Sequence, residues 1–86
     1  MTEEIQQYIN TRRGAKTIIE ILKNNPERYG ELQQKAKLHG GTLGTRLKEM
    51  TAMGIIERID YKKIPPHVEY QLTEKGLSIS EELEFN

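Results

Sequence analysis

The side chains best placed to do chemistry in this chain are hydroxyls and cations rather than acid–base pairs. Thr42, Thr45, Arg46 and Lys48 crowd one short stretch, and Lys62, Lys63 and His67 flank Pro65-Pro66. Lysine and arginine neutralise phosphates, and threonine hydroxyls or free backbone N–H groups near a helix start suit phosphate oxygens or base edges. Other chemistries lack their parts. There is no cysteine, which excludes disulfides, thiol switching and a Cys-based zinc site. Neither His39 nor His67 has an acid or a second histidine at i+3 or i+4, so no metal site is expected. Gly40-Gly41-Thr42 lacks the Gly-Lys-Ser/Thr continuation of a phosphate-binding loop. No Ser–His–Asp arrangement suggests itself, and the expectation is a non-enzyme with no cofactor and no catalytic residue.

A helix and a ribbon must hold these residues. From about Thr42 to Met53, Leu43, Leu47 and Met50 recur at i, i+4 and i+7, which is a buried helical stripe. Gly41, Thr45, Lys48 and Ala52 then point outward, with Thr42 and Glu49 beside them and Arg46 on a flank. Gly44 within this helix costs roughly 1 kcal/mol relative to alanine, for which close approach to DNA or to a neighbouring helix would be the reason. Gly54 ends the helix as a C-terminal cap. The preceding helix is predicted over Tyr29 to Lys37, with Tyr29, Leu32 and Ala36 inward and His39-Gly40-Gly41 as the turn. Two helices joined by a short glycine-containing turn are the parts of a helix-turn-helix.

Ile56, Arg58 and Asp60 would share one face of a strand, with Glu57, Ile59 and Tyr61 on the other. A partner strand over Val68–Leu72 alternates in the same way. Lys62 to His67 joins the two, and Pro65-Pro66 excludes regular pairing at the tip. A helix followed by such a ribbon can enter the DNA major groove while the tip reaches the backbone or the next groove. Each part also has an ordinary reading alone: a solvated helix face, a soluble loop, an Arg28–Glu31 ion pair, an Arg58 pair with a strand neighbour.

The remaining elements frame this unit. Thr2 caps a first helix carrying Ile5, Tyr8 and Ile9, and Gly14 breaks the chain. A second helix, Ala15–Asn24, places Ile18, Ile19, Ile21 and Leu22 at the centre of the core, and Asn25-Pro26 stops it. Thr73 caps a last helix over Glu74–Glu84. The fold class is α+β (mainly α): a winged helix-turn-helix with a two-stranded β wing and flanking N- and C-terminal helices, in one domain over residues 1–86.

Net charge is zero, with 13 basic and 13 acidic side chains, but the charges are unevenly placed. Residues 28–67 hold eight lysines and arginines against four acids, whereas residues 68–86 hold Lys75 against five acids. Positive charge therefore collects on the segment predicted to dock, as counterion-release binding requires. No apolar run approaches the roughly 18–20 residues of a membrane span. The start, MTEEIQQ, is too acidic and polar for a signal peptide, so a cytoplasmic protein is expected. A domain this small gains from association.

Four blocks carry a family resemblance: Gly14-Ala15-Lys16 with Ile18, Ile19, Ile21 and Leu22; Arg28-Tyr29-Gly30-Glu31-Leu32; Leu43, Arg46-Leu47-Lys48-Glu49-Met50 and Gly54-Ile55-Ile56; and Pro65-Pro66-His67-Val68-Glu69-Tyr70 with Leu72-Thr73-Glu74-Lys75-Gly76. In order and spacing the chain resembles the HxlR-type winged helix-turn-helix transcriptional regulators, relatives of the MarR-like group. The resemblance implies a regulator that binds double-stranded DNA as a homodimer. Its DNA-binding residues would be Arg28, Gly41, Thr42, Thr45, Arg46, Lys48, Lys62, Lys63 and His67. The dimer interface would come from residues 1–13 and 74–86, through Ile5, Tyr8, Ile9, Leu77, Leu83 and Phe85. This chain departs from the family pattern at Thr17, where a tryptophan is usual, at His67, where a basic residue is usual, and in lacking the N-terminal cysteine of many members. Its last helix also reads as ending early. The rival reading is a winged-helix protein-interaction module without DNA binding; a third, a small-molecule sensor with a pocket at the dimer interface, is disfavoured by the few aromatics and the absence of tryptophan and cysteine, and the effector stays unknown.

Overall fold

The computed structural model describes residues 1–84. Five helices and one two-stranded sheet follow in the order α1 (Glu3–Thr11), α2 (Ala15–Asn24), α3 (Tyr29–Ala36), α4 (Gly40–Ala52), β1 (Ile56–Asp60), β2 (Val68–Leu72) and α5 (Glu74–Glu84). The strands are antiparallel, with Ile56 opposite Leu72, Arg58 opposite Tyr70 and Asp60 opposite Val68. This is the winged helix-turn-helix expected, and it is mainly helical.

Helix α2 is the hub, as its four isoleucine and leucine positions require. Ile18 and Ile19 are fully buried and Leu22 nearly so, while Ile21 packs at the edge of the same cluster. The stripe of α4 adds Leu43, Leu47 and Met50 to the same core, and Ile55, Ile56 and Leu72 close it from the root of the ribbon. The first helix departs from expectation. Thr2 caps it, its Oγ1 accepting from the Ile5 N–H at 3.2 Å. Ile5 and Ile9, expected at a dimer interface, are instead 6% and 4% exposed within the monomer core. The narrow apolar face of α1 is spent on its own chain.

The turn between α3 and α4 also differs. Glycines at 40 and 41 suggest a turn, yet both belong to the first turn of α4, and His39 is its N-terminal flank. The reversal is made by Lys37, which takes a left-handed conformation (φ 55) at the end of α3. At the other end of α4, Gly54 (φ 76) permits the expected cap. The Gly54 N–H donates to the Thr51 carbonyl at 3.0 Å and the Ile55 N–H to the Met50 carbonyl at 2.9 Å. This pair of bonds satisfies carbonyls that a helix end otherwise leaves open.

Thr73 then ties the ribbon shut at its root. Its hydroxyl lies 2.6 Å from the Gly54 carbonyl and accepts from the Gly76 N–H at 3.0 Å. A third extended segment supports the sheet: Glu27 and Tyr70 exchange backbone hydrogen bonds of 3.0 and 2.8 Å. The Glu27 side chain is buried and pairs with Lys35 at 2.5 Å. A two-stranded ribbon alone is marginal in water, and this bridge anchors it to the body.

Candidate nucleic-acid interface

Helix α4 turns Gly41, Thr45, Lys48 and Ala52 to solvent, with Thr42 partly covered, as its apolar stripe dictates. A methyl group added at Gly41 would meet nothing within 4 Å, and one at Gly44 only the Tyr29 hydroxyl, at 3.5 Å. The first turn of this face is therefore low and open. The exposed Thr45 hydroxyl donates to the Gly41 carbonyl at 3.0 Å, which fixes the side chain.

Beside this face, α4 and the ribbon wall one crevice of roughly 530 Å³. Leu47, Ala52, Tyr29 and Tyr70 give it an apolar floor, and Lys48 from α4 and Arg58 from β1 stand at its sides. Both cations are exposed, and among the described residues neither has an acidic partner. Helix face and ribbon thus share one side of the molecule. The strand-neighbour ion pair expected for Arg58 does not form among the described residues. Its cross-strand neighbour is Tyr70, an aromatic that cannot neutralise it. Tyr29 was expected inward but is 37% exposed, its hydroxyl donating to the Gly40 carbonyl at 2.5 Å. It stands between α3 and the start of α4 as a wall of the crevice.

Arg46 behaves differently from the expectation of a groove contact. Its side chain is only 15% exposed. The guanidinium donates from Nε to the Arg13 carbonyl at 2.9 Å and from Nη1 to Glu49 at 3.1 Å. An acceptor 33 residues away in sequence has captured it, so its place is beneath α4 rather than on its outer face. Arg28 is also redirected. Glu31 takes the backbone N–H of Arg28 at 3.1 Å, and the guanidinium reaches the Pro66 carbonyl at 3.4 Å. Arg28 braces the wing.

At the wing, Lys62 is 85% exposed on its side chain, with Asp60 at 3.9 Å. Lys63 is exposed and its ammonium stands 5.7 Å from the centre of the Tyr61 ring. His67 is half-buried at the base, 3.1 Å from Glu69 and edge-on to Tyr61 at 5.0 Å. The Tyr61 hydroxyl, and after it His67, hold the Glu69 carboxyl below its ordinary range. Of the expected interface set on the flanking helices, Leu77 is exposed, Tyr8 and Leu83 are half-buried, and Phe85 lies outside the described residues. Among the described residues there is no group of three or more side chains that could hold a metal ion. No helix among them is long and apolar enough to cross a membrane.

The match that decides the family runs over residues 9–85, nearly the whole chain, and covers α2, the two helices of the turn motif, the wing and α5. The chain belongs to the HxlR-like helix-turn-helix family. Its HxlR-like relatives are transcriptional regulators rather than enzymes. MalR of Fusobacterium mortiferum, named as a regulatory protein, is 48% identical over 57 residues, covering 63% of this chain and 52% of its own. YtfH of Escherichia coli, an uncharacterized HTH-type transcriptional regulator, is 31% identical over 86 residues, covering 95% of this chain and 65% of its own. The HxlR-like chain therefore spans between half and two thirds of the length of these curated relatives. The reduced form of the transcriptional regulator YodB from Bacillus subtilis superimposes with a TM-score of 0.85 at 27% identity, over 99% of this chain and 86% of that one.

Proposed function

We propose that this chain regulates transcription by binding double-stranded DNA as a homodimer, with α4 in the major groove and the wing on the backbone or in the minor groove. The observation that carries the reading is the shared crevice. Lys48 and Arg58 stand on different elements, face one opening and have no acid between them, an arrangement suited to a polyanion. Gly41, Thr42 and Thr45 give α4 a small, hydroxylic leading face that can lie close to base edges. Lys62 and Lys63 add charge at the ribbon tip, and His67 sits at its base. Arg46 and Arg28 enter this reading as supports, one under α4 and one under the wing. The dimer rests on the likeness to the family and on the exposed Leu77 of α5, with Tyr8 and Leu83 beside the core.

A salt titration of duplex binding tests the reading, using fragments that the purified protein selects from a random pool. Replacing Lys62 and Lys63 with alanine is expected to lower the log–log salt slope by about 1–2, since each neutralised phosphate contributes about 0.9. An unchanged slope removes the wing from the contact. If the wild-type protein is not retained on duplex DNA at moderate salt while a protein partner is captured tightly, the interaction-module reading takes its place.

A further inference from the structure

The wing tip is apolar at its outermost point. Ile64 is 100% exposed, and Pro65 and Pro66 after it are exposed as well. A single exposed apolar residue is ordinary and prolines are ordinarily exposed; Ile64 stands out because a branched side chain is left wholly in solvent at the end of a braced loop. The loop is also held in shape. The Lys62 N–H donates to Asp60 Oδ1 at 2.9 Å, the Tyr61 N–H to the His67 carbonyl at 3.0 Å, and Arg28 to the Pro66 carbonyl at 3.4 Å. Those contacts fix both legs of the tip and leave the Ile64 side chain free of the protein. Lys62 and Lys63 immediately precede it, so the apolar point is collared by positive charge.

Resting on the DNA-binding reading above, we infer that Ile64 is an apolar wedge that enters the minor groove of duplex DNA beside the α4 site. The lysine collar favours a polyanionic surface over an apolar protein surface, because against the latter the Lys63 ammonium would lose hydration with no acidic partner and that of Lys62 with only Asp60, at 3.9 Å. Between phosphate rows the same lysines are neutralised while the branched side chain meets sugar edges and base steps. Isoleucine is among the side chains that partly unstack such steps. A tip already braced loses little conformational freedom on docking. The wing then contributes a term that is insensitive to salt, alongside the salt-sensitive term of its lysines.

The test compares wild type, Ile64→Ser and Ile64→Lys on a selected duplex carrying 2-aminopurine at successive steps flanking the α4 site. Ile64→Ser is expected to weaken binding by about 3- to 30-fold, the range for partial burial of one such side chain, with the salt slope unchanged. The 2-aminopurine signal that rises with wild type should be lost. Ile64→Lys should steepen the slope by about 0.9 without restoring that signal. Equal affinity and equal fluorescence for wild type and Ile64→Ser overturn the wedge and leave DNA binding standing. Failure of the wild type to bind any duplex overturns both. Because Ile64 touches nothing in the fold, far-ultraviolet circular dichroism should be the same for all three proteins.

Discussion

The hydroxyl of Tyr8 on α1 donates to Glu49 Oε1 on α4 at 2.8 Å. Glu49 is in turn the partner of Arg46, whose other donor holds the Arg13 carbonyl at the corner between α1 and α2. The proposed reading helix is thus pinned from below by the first helix. Burial, followed by the hydrogen bond and charge of Glu49, pushes the Tyr8 phenol well above its ordinary value of 10.0. The stabilisation is complete below about pH 10 and is lost as pH climbs from there toward the raised folded value, because the unfolded chain ionises first. Tyr8→Phe should cost about 1 kcal/mol at neutral pH and flatten the alkaline fall in stability. Urea melts across pH 8–11 read both; an equally steep fall in the variant would show that Tyr8 is not its source.

Arg46 and Lys48 are two residues apart and should fail differently. Arg46→Ala removes two charge-assisted hydrogen bonds and should lower stability by about 1–3 kcal/mol. It should weaken DNA binding through misplacement of α4, with the salt slope unchanged. Lys48→Ala and Arg58→Ala should leave the melting temperature alone and each lower the slope by about 0.9. Thermal melts paired with salt titrations separate the two behaviours. A slope change in Arg46→Ala would return that residue to the DNA surface.

Much of this arrangement is legible in the sequence, and the misses share a cause. Strands β1 and β2 and helix α2 fall where alternation and the run of isoleucines put them, although in the strands only Ile56 and Leu72, at the root of the ribbon, are buried. The start of α4 does not. Gly40 and Gly41 read as a turn, whereas the left-handed residue is Lys37, a residue type that gives no such signal. The fate of Arg46 depends on a carbonyl at Arg13 that no local spacing announces. The unpaired state of Arg58 depends on Tyr70 standing opposite it, a register that no local spacing announces. Ile5 and Ile9 look too sparse for a core until α2 and α5 supply the other walls.

Leu77 is 43% exposed on α5, whereas Ile5 and Ile9 are not available to a partner. Leu77→Glu should therefore weaken the proposed homodimer without unfolding the protomer. Sedimentation equilibrium of wild type and variant over a range of concentrations would show it. An unaltered association constant would move the interface elsewhere.

Gly76 is fixed by close approach. A Cβ there would stand 2.1 Å from the Ile55 carbonyl oxygen, a backbone atom that cannot step aside. Gly76→Ala should cost at least about 1–3 kcal/mol, the usual range for overpacking. Chemical denaturation would register it as a lower midpoint, and a midpoint equal to wild type would mean that α5 can slide without loss.

The same junction has a mechanical meaning. The Lys75 ammonium holds the Met53 carbonyl at 2.8 Å, and the Thr73 hydroxyl sits on the carbonyl of Gly54. The tail of α4 and the head of α5 are thereby riveted, with the flap springing from the rivet. The closing helix, the end of α4 and the root of the flap therefore meet at one hydrogen-bonded joint rather than through the hydrophobic interior.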